Sequence, residues 1–208
     1  MGRPGAGKGT QAKFLLSAYA NQGMVHVGTG DILRQAADAR TPAGLEYLAN
    51  VNNGGFVRDE TIVRIVDEKL ATLDSYVLDG FPRNLTQAEL WNANQADHIL
   101  VLDIPRYVAV ERMFPRMVCT PCGTTYGGVA EKVSGHCDAC AAPLTRRTDD
   151  APEIVQKKLD YFDEHTAAVI SRYQTLLPGK LSVINGAETP ERVYASIAGV
   201  LRKARIGA

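Results

Sequence analysis

The chain contains no apolar run near the ~18 residues that a membrane-spanning helix requires, and its first residues lack the layout of a secretory signal. These absences predict a soluble cytoplasmic protein with no membrane partner. An excess of either charge is also missing, since 23 Lys and Arg balance 23 Asp and Glu; nothing supplies the overall basic field that draws proteins to nucleic acid. Cysteine is absent outside Cys119 to Cys140, which excludes a disulfide framework of the kind that staples secreted domains and favours a local metal site. There is one tryptophan, Trp91, read as packing. The four histidines, His26, His98, His136 and His165, have no convergent partners at catalytic spacing. Repeats and low-complexity tracts are absent too.

What is present begins at once. Gly2 to Thr10 reads Gly-Arg-Pro-Gly-Ala-Gly-Lys-Gly-Thr. Its glycines let successive backbone N–H groups turn inward as an anion nest, and a helix opening behind them adds its positive dipole end. Lys8 would place a point charge on the β- and γ-phosphates of a nucleotide. Gly9 stands where the general phosphate-loop pattern carries a hydroxyl, which leaves Thr10 as its replacement. Such loops normally follow a buried parallel strand, and only Met1 precedes this one. The expectation is therefore a truncated or misassigned start, with a fold lacking a strand as the other possibility.

At 208 residues and 45% hydrophobic composition the chain can bury one α/β core with small insertions. Apolar strands are predicted at about 24–27, 75–78, 99–102 and 181–184, alternating with helices at about 7–22, 31–39, 42–52, 59–73, 106–117, from 150 onward, and after Thr189-Pro190. Thr41 and Asp59 are expected to cap helices, and Glu153 to complete a capping box. Alternation of this kind predicts a mostly parallel sheet in a three-layer phosphate-loop fold, with ligands at the carboxyl ends of the strands. Residues 118–147 form a Gly- and Cys-rich insertion with little helical period. Within it, Cys119-x2-Cys122-x14-Cys137-x2-Cys140 has the paired-knuckle spacing of a structural Zn²⁺ site. Four thiolates close the coordination shell, so the metal would staple the segment and not catalyse. Buried thiols, a disulfide pair, and His136 as a substitute ligand remain the other readings.

The phosphate loop, Thr29-Gly30-Asp31 with Arg34, Asp79-Gly80-Phe81-Pro82-Arg83 with Gln87, Arg112 with Arg116, and Arg147 before Asp149-Asp150 occur in one order and spacing. In these features the chain resembles the adenylate kinases over nearly its whole length, including the cysteine-bearing lid of many bacterial members. That resemblance implies reversible phosphoryl transfer from MgATP to AMP, giving two ADP. It implies a core at 1–27, 58–114 and 151–208, an AMP-binding segment at 28–57, and a lid at 115–150. It assigns Gly5, Ala6, Gly7, Lys8, Gly9 and Thr10 to the ATP phosphates with Arg112 and Arg116, and Asp79 to water on Mg²⁺. Thr125, Tyr126 and the backbone near Glu188 flank the donor adenine. For AMP it implies Thr29, Arg34, Gly55, Phe56, Val57, Gly80, Arg83 and Gln87, with Arg147 swinging in from the lid and Asp149 and Asp150 organising the arginines. A monomer is expected.

Base choice follows from Thr29 and Gln87, because a glutamine amide offers a donor and an acceptor to the N6 and N1 edge of adenine; relatives acting on UMP or CMP tend to carry alanine and asparagine there. Two residues depart from the family pattern. Lys158 stands where relatives carry a second lid-side arginine, which keeps the charge and loses the planar fork. Pro115, between Arg112 and Arg116, should end or kink the helix and splay the pair. Each role has a plainer reading beside it: Asp79 as a turn cap, Lys158 and the arginines as exposed helix residues. Other open functions are another acceptor base, GTP as donor, nucleotide binding without turnover in a fold lacking its first strand, and a zinc-ribbon interaction module. The last is weak, since Lys132 is the only basic residue between Cys119 and Cys140.

Overall fold

The computed structural model describes residues 1–51, 57–93, 96–127, 135–147 and 150–206. Gly55, Phe56, Lys132 and Asp149, singled out above, lie outside the described residues. Behind the glycine-rich loop runs α1 (Lys8–Ala18), followed by β1 (Val25–Gly28), α2 (Thr29–Asp38), α3 (Pro42–Val51), α4 (Asp59–Leu70) and β2 (Tyr76–Asp79). Next come α5 (Leu85–Leu90), β3 (Ile99–Asp103) and α6 (Arg106–Met113). The cysteine-bearing insertion folds as short antiparallel strands β4 (Met117–Cys119), β5 (Thr125–Tyr126) and β6 (Leu144–Thr145), in the order β5-β4-β6. The chain closes with α7 (Pro152–Tyr161), a π turn at Phe162–Thr166, α8 (Ala167–Leu176), β7 (Leu181–Asn185) and α9 (Pro190–Lys203).

Local chemistry explains most of these limits. The Thr189 hydroxyl accepts from Arg192 N and Pro190 occupies the first turn of α9, while Asn84 Oδ1 accepts from Gln87 N at 2.8 Å to start α5. Thr41 caps as expected, accepting from Gly44 N at 3.2 Å. Two expected caps are not made. Asp59 is the first helical residue of α4, not its cap, because its carboxylate accepts from Asn84 and Gln87. At α7 the cap position is Ala151, with no side-chain bond, because Asp150 is turned to Arg116. The helix α6 ends two residues before Pro115 instead of running to about 117.

The strands pair in parallel as two ribbons, β1 with β2 and β3 with β7. Met1 and Gly2 lie along the other edge of β3: Leu102 N donates to Met1 O at 2.9 Å, and Gly2 bridges Leu102 in parallel. The ribbons share two hydrophobic clusters, one joining Val27, Leu78, Ile99 and Val101 and the other Val77, Leu100, Leu102 and Ile184. Val66, Leu159, Val169 and Ile197 are almost wholly buried on the helices that cover them, each worth roughly 1.5–3 kcal/mol of apolar burial. The carboxyl ends of β2 and β3 therefore open beside the glycine-rich loop. Among the described residues no helix is long and apolar enough to cross a membrane.

Helices α2 and α3 touch at Gly44, where an added Cβ would overlap the Ala36 carbonyl and the Ala37 amide. Both obstacles are backbone, so a side chain there must push the helices apart. We expect Gly44→Ala to destabilise the fold by roughly 1–3 kcal/mol, read as a lower urea midpoint at unchanged slope.

Candidate functional site

Gly5 and Gly7 take positive φ values of 82° and 85°, and Gly7 is the residue from which α1 starts. The first turn of α1 carries no acidic side chain, so its free N–H groups and dipole remain available to an anion. Gly5 is pressed against α6, where a Cβ would come within 3.0 Å of Ala109 O and 3.2 Å of Met113 Cγ. Ala6 is buried, while Gly9 and Thr10 are exposed at the helix start. The Lys8 ammonium folds back over the loop and donates to the carbonyls of Gly2 and Arg3 at 2.8 and 2.9 Å.

Burial lowers the Lys8 pKa; the Asp79 carboxylate opposes that, and Arg83 and Arg116 add to it. The Lys8 ammonium thus lies within electrostatic reach of Asp79, Arg83 and Arg116. For Asp79, burial alone would raise the pKa, but the neighbouring His26 imidazole and the charge of Lys8 bring it down to about 2. His26 Nε2 stands 3.7 Å from Asp79 Oδ2, whereas Asp79 Oδ1 is buried with no hydrogen-bond partner among the described residues. An ionised oxygen left unpaired beside a phosphate loop fits a hydrated Mg²⁺, which keeps most of its waters and takes few protein ligands.

Directly after Asp79 comes the loop that follows β2. Gly80 has φ 81°, and a Cβ there would meet Thr29 Oγ1 at 2.8 Å and Arg83 Nη2 at 3.1 Å, so glycine is required. The Thr29 hydroxyl donates to the carbonyl of Gly80 at 2.9 Å, which commits its proton and leaves its lone pairs as acceptors. Arg83 donates through Nε to Gly80 O at 2.7 Å; burial, foremost, lowers its pKa. Gln87 is 2% exposed and already half engaged: Oε1 accepts from Arg83 N and Nε2 donates to Asp59 Oδ1, both at 2.8 Å. One N–H and one lone pair of its amide remain. Arg34 pairs with Asp31. The Val57 side chain lies in the hydrophobic core, so only its backbone can border a ligand.

The expected cationic groups are divided among different partners. Arg112 donates to the carbonyls of Gly186 and Ala187 at 2.8 and 3.0 Å, with that of Glu188 at 3.5 Å. Arg116 makes a two-pronged bond to Asp150, at 2.7 and 2.5 Å, and Lys158 Nζ reaches the same carboxylate at 3.6 Å. The Asp150 side chain is only 4% exposed. Arg147 lies at the same turn, where its carbonyl accepts from Asp150 N at 3.2 Å. Sequence reasoning missed His26, which lies beside Asp79, and Asp59, Arg3 and Thr166, which are bonded to this machinery; only the charge of Arg3 inside a phosphate loop gave any local hint.

In the insertion the four cysteine sulfurs lie within 4.8 Å of one another. Sγ of Cys119 is 3.3 Å from that of Cys140, and Sγ of Cys122 is 3.4 Å from that of Cys137. Those two separations exceed a ~2.05 Å disulfide bond and fall a little short of the ~3.8 Å edge of a tetrahedron with ~2.3 Å metal–sulfur bonds. The four cysteines could therefore hold a metal ion. Tyr126 OH donates to Cys137 Sγ at 3.4 Å and accepts from Asp138 N. The insertion also touches the core: Lys13 Nζ donates to Gly123 O at 3.1 Å, and a Cβ on Gly127 would come within 2.9 Å of Arg116 Cα.

A family model described as adenylate kinase matches residues 1–177. The adenylate kinase of Carboxydothermus hydrogenoformans is 37% identical over 214 residues, covering 98% of this chain and 98% of that protein. Those of Limosilactobacillus fermentum and Lactobacillus acidophilus are 38% and 35% identical, each covering 97% of this chain.

The His26–Asp79 pair makes stability depend on pH in two directions. Asp79, depressed from 3.8 to about 2, stabilises the fold above pH 3.8 and loses that contribution as pH falls through about 2. His26, raised above 6.5 chiefly by the Asp79 carboxylate beside it, contributes fully below 6.5 and ceases to as pH rises through its folded pKa. Without nucleotide or Mg²⁺, His26→Gln should cost more stability at pH 5.5 than at pH 9, measured by urea denaturation at both values.

Proposed function

The chain belongs to the adenylate kinase family, and on that premise we propose how its residues transfer a phosphoryl group. The enzyme moves that group reversibly between ATP and AMP. Two polyanions must meet in line with water excluded, so the protein supplies position and positive charge and forms no covalent intermediate. The observation that supports the assignment is the glycine-rich loop itself, with Gly5 and Gly7 at positive φ, Lys8 bonded back over it, and a helix behind it whose first turn carries no acidic side chain. Gly5 to Thr10 and Lys8 hold the ATP phosphates, with Arg112 and Arg116 beside them. Arg34 and Arg83 hold the AMP phosphate. Arg147 and Lys158 approach from the lid side, and Asp149 and Asp150 organise them. Bidentate guanidinium suits phosphoryl oxygens, so Lys158 positions AMP less firmly than an arginine would.

Asp79 would hold, through water, the Mg²⁺ that comes with ATP, and the ion would offset phosphate charge there. The acceptor pocket is read as selective for AMP, because Thr29 can only accept once its proton is on Gly80 O, which matches the amino group at N6 of adenine and not the O6 of guanine or the O4 of uracil. Gln87 offers its remaining N–H and lone pair to the same edge, with Gly55, Phe56 and Val57 enclosing the nucleoside. Thr125, Tyr126 and the Glu188 backbone flank the donor base. The core spans 1–27, 58–114 and 151–208, the AMP-binding segment 28–57 and the lid 115–150, acting as a single chain in the cytoplasm. Zn²⁺ on Cys119, Cys122, Cys137 and Cys140 staples a lid too small to bury a core of its own.

A coupled ADP-forming assay should rank AMP at least ~100-fold above CMP and UMP in kcat/KM, and Lys8→Met should lower kcat by ~100-fold or more; preference for a pyrimidine acceptor would overturn the base assignment. Elemental analysis should find one zinc per chain. Its removal by chelator should lower the unfolding temperature of the lid, and Cys119→Ser should lose the metal.

A further inference from the structure

Arg3 stands in the phosphate loop, yet its guanidinium serves a different element. Nε and Nη2 donate to Asp163 Oδ1 at 3.1 and 2.8 Å, and Nη1 donates to Ile104 O at 2.9 Å. The group also lies 5.0 Å from the centre of the Phe162 ring. The second oxygen of Asp163 accepts from Arg106 at 2.6 Å, and Arg106 in turn donates to Asp160 at 2.5 Å. Asp163 and Phe162 belong to the π turn between α7 and α8. Three residues after Asp163, the Thr166 hydroxyl donates to the carbonyl of Arg83 at 2.7 Å. The carbonyl of Arg3 itself receives the Lys8 ammonium.

One turn of helix is thus bonded on one side to the loop that holds Lys8 and on the other to the loop that carries Arg83. In an α-helix, residues three apart share a face; the wider i→i+5 bonding of a π turn spreads them further around the axis, so that each reaches a separate loop. We propose that the π turn Phe162–Thr166 is a strut fixing the separation of the donor-side lysine and the acceptor-side arginine. Arg3, Asp163 and Thr166 are its positioning residues. The inference rests on the assignment of Lys8 and Arg83 to the two phosphates. In-line transfer is sensitive to this separation, since a misplacement of ~1 Å can cost ~100-fold in rate.

Steady-state kinetics on the full chain, varying ATP and AMP separately, test it. Arg3→Ala and Asp163→Ala should each lower kcat about 10-fold or more while the AMP KM moves less than about 2-fold. The double variant should be no slower than the worse single one, and Arg3→Lys should recover part of the loss. Thr166→Val should raise the AMP KM several-fold and leave the ATP KM unchanged. Should an alanine variant fail to fold, Asp163→Asn and Thr166→Val, which keep side-chain shape, carry the test. Parental kinetics in these variants with a lowered unfolding midpoint, or multiplicative losses in the double variant, would overturn the strut. Lys8→Met and Arg83→Ala run alongside: if they keep full turnover, the phosphate assignment itself has failed, whereas their inactivity beside unimpaired strut variants rejects the strut alone.

Discussion

Cations gathered to meet a polyphosphate repel one another before it arrives, and the site depends on how that repulsion is held in check. The solution is repeated three times with aspartate. Asp79 stands between His26 and the charge of Lys8, Asp150 between Arg116 and Lys158, and Asp163 between Arg3 and Arg106. Asp150 and Asp163 each let two positive groups approach more closely than they could alone, and Asp79 offsets the charge of Lys8. Burial strengthens both halves of the arrangement, so removing the acid from a pair such as Arg116–Asp150 would strand a cation at a cost of about 3–5 kcal/mol. Asp79 differs from the other two in keeping one oxygen unpaired, which makes it the carboxylate with capacity to spare.

The order of elements was legible because period and punctuation are local. Apolar runs such as Ile99 to Leu102 marked strands, the cysteine spacing marked the knuckles that the sulfur positions now fit, and the glycines of the phosphate loop marked its turn. Pro115 marked the end of α6, and the two arginines flanking it go to different partners. What the sequence hid were pairings across long separations. Arg3 meets Asp163 across 160 positions, and Asn84 meets Tyr161 across 77; no periodicity announces either. The π turn was invisible for a related reason, since Phe162 to Thr166 continues the helical pattern of α7 into α8 and differs only in its bonding.

Asp59 and Gln87 show how local rules fail where side chains do collective work. An aspartate before an apolar run is read as a cap, but here it is the acceptor at the centre of a small network joining α4, α5 and Tyr161 through Asn84. Gln87 lies in that network, so the residue assigned to adenine is held from behind before any base enters. Fixing an amide in advance reduces the entropy lost when a ligand binds it, and it also decides which hydrogen and which lone pair remain to be offered.

Arg112 and Arg116 lie four residues apart and are tethered in chemically opposite ways. The first rests on neutral carbonyls of the turn after β7, the second on a buried anion. A guanidinium that leaves a carbonyl exposes a group water can satisfy, whereas one that leaves a buried carboxylate abandons a full charge. Reorienting toward an incoming anion is therefore cheap for Arg112 and costly for Arg116. One of the neighbours is built as a swivel and the other as a fixed post, a difference written entirely in what each is asked to let go.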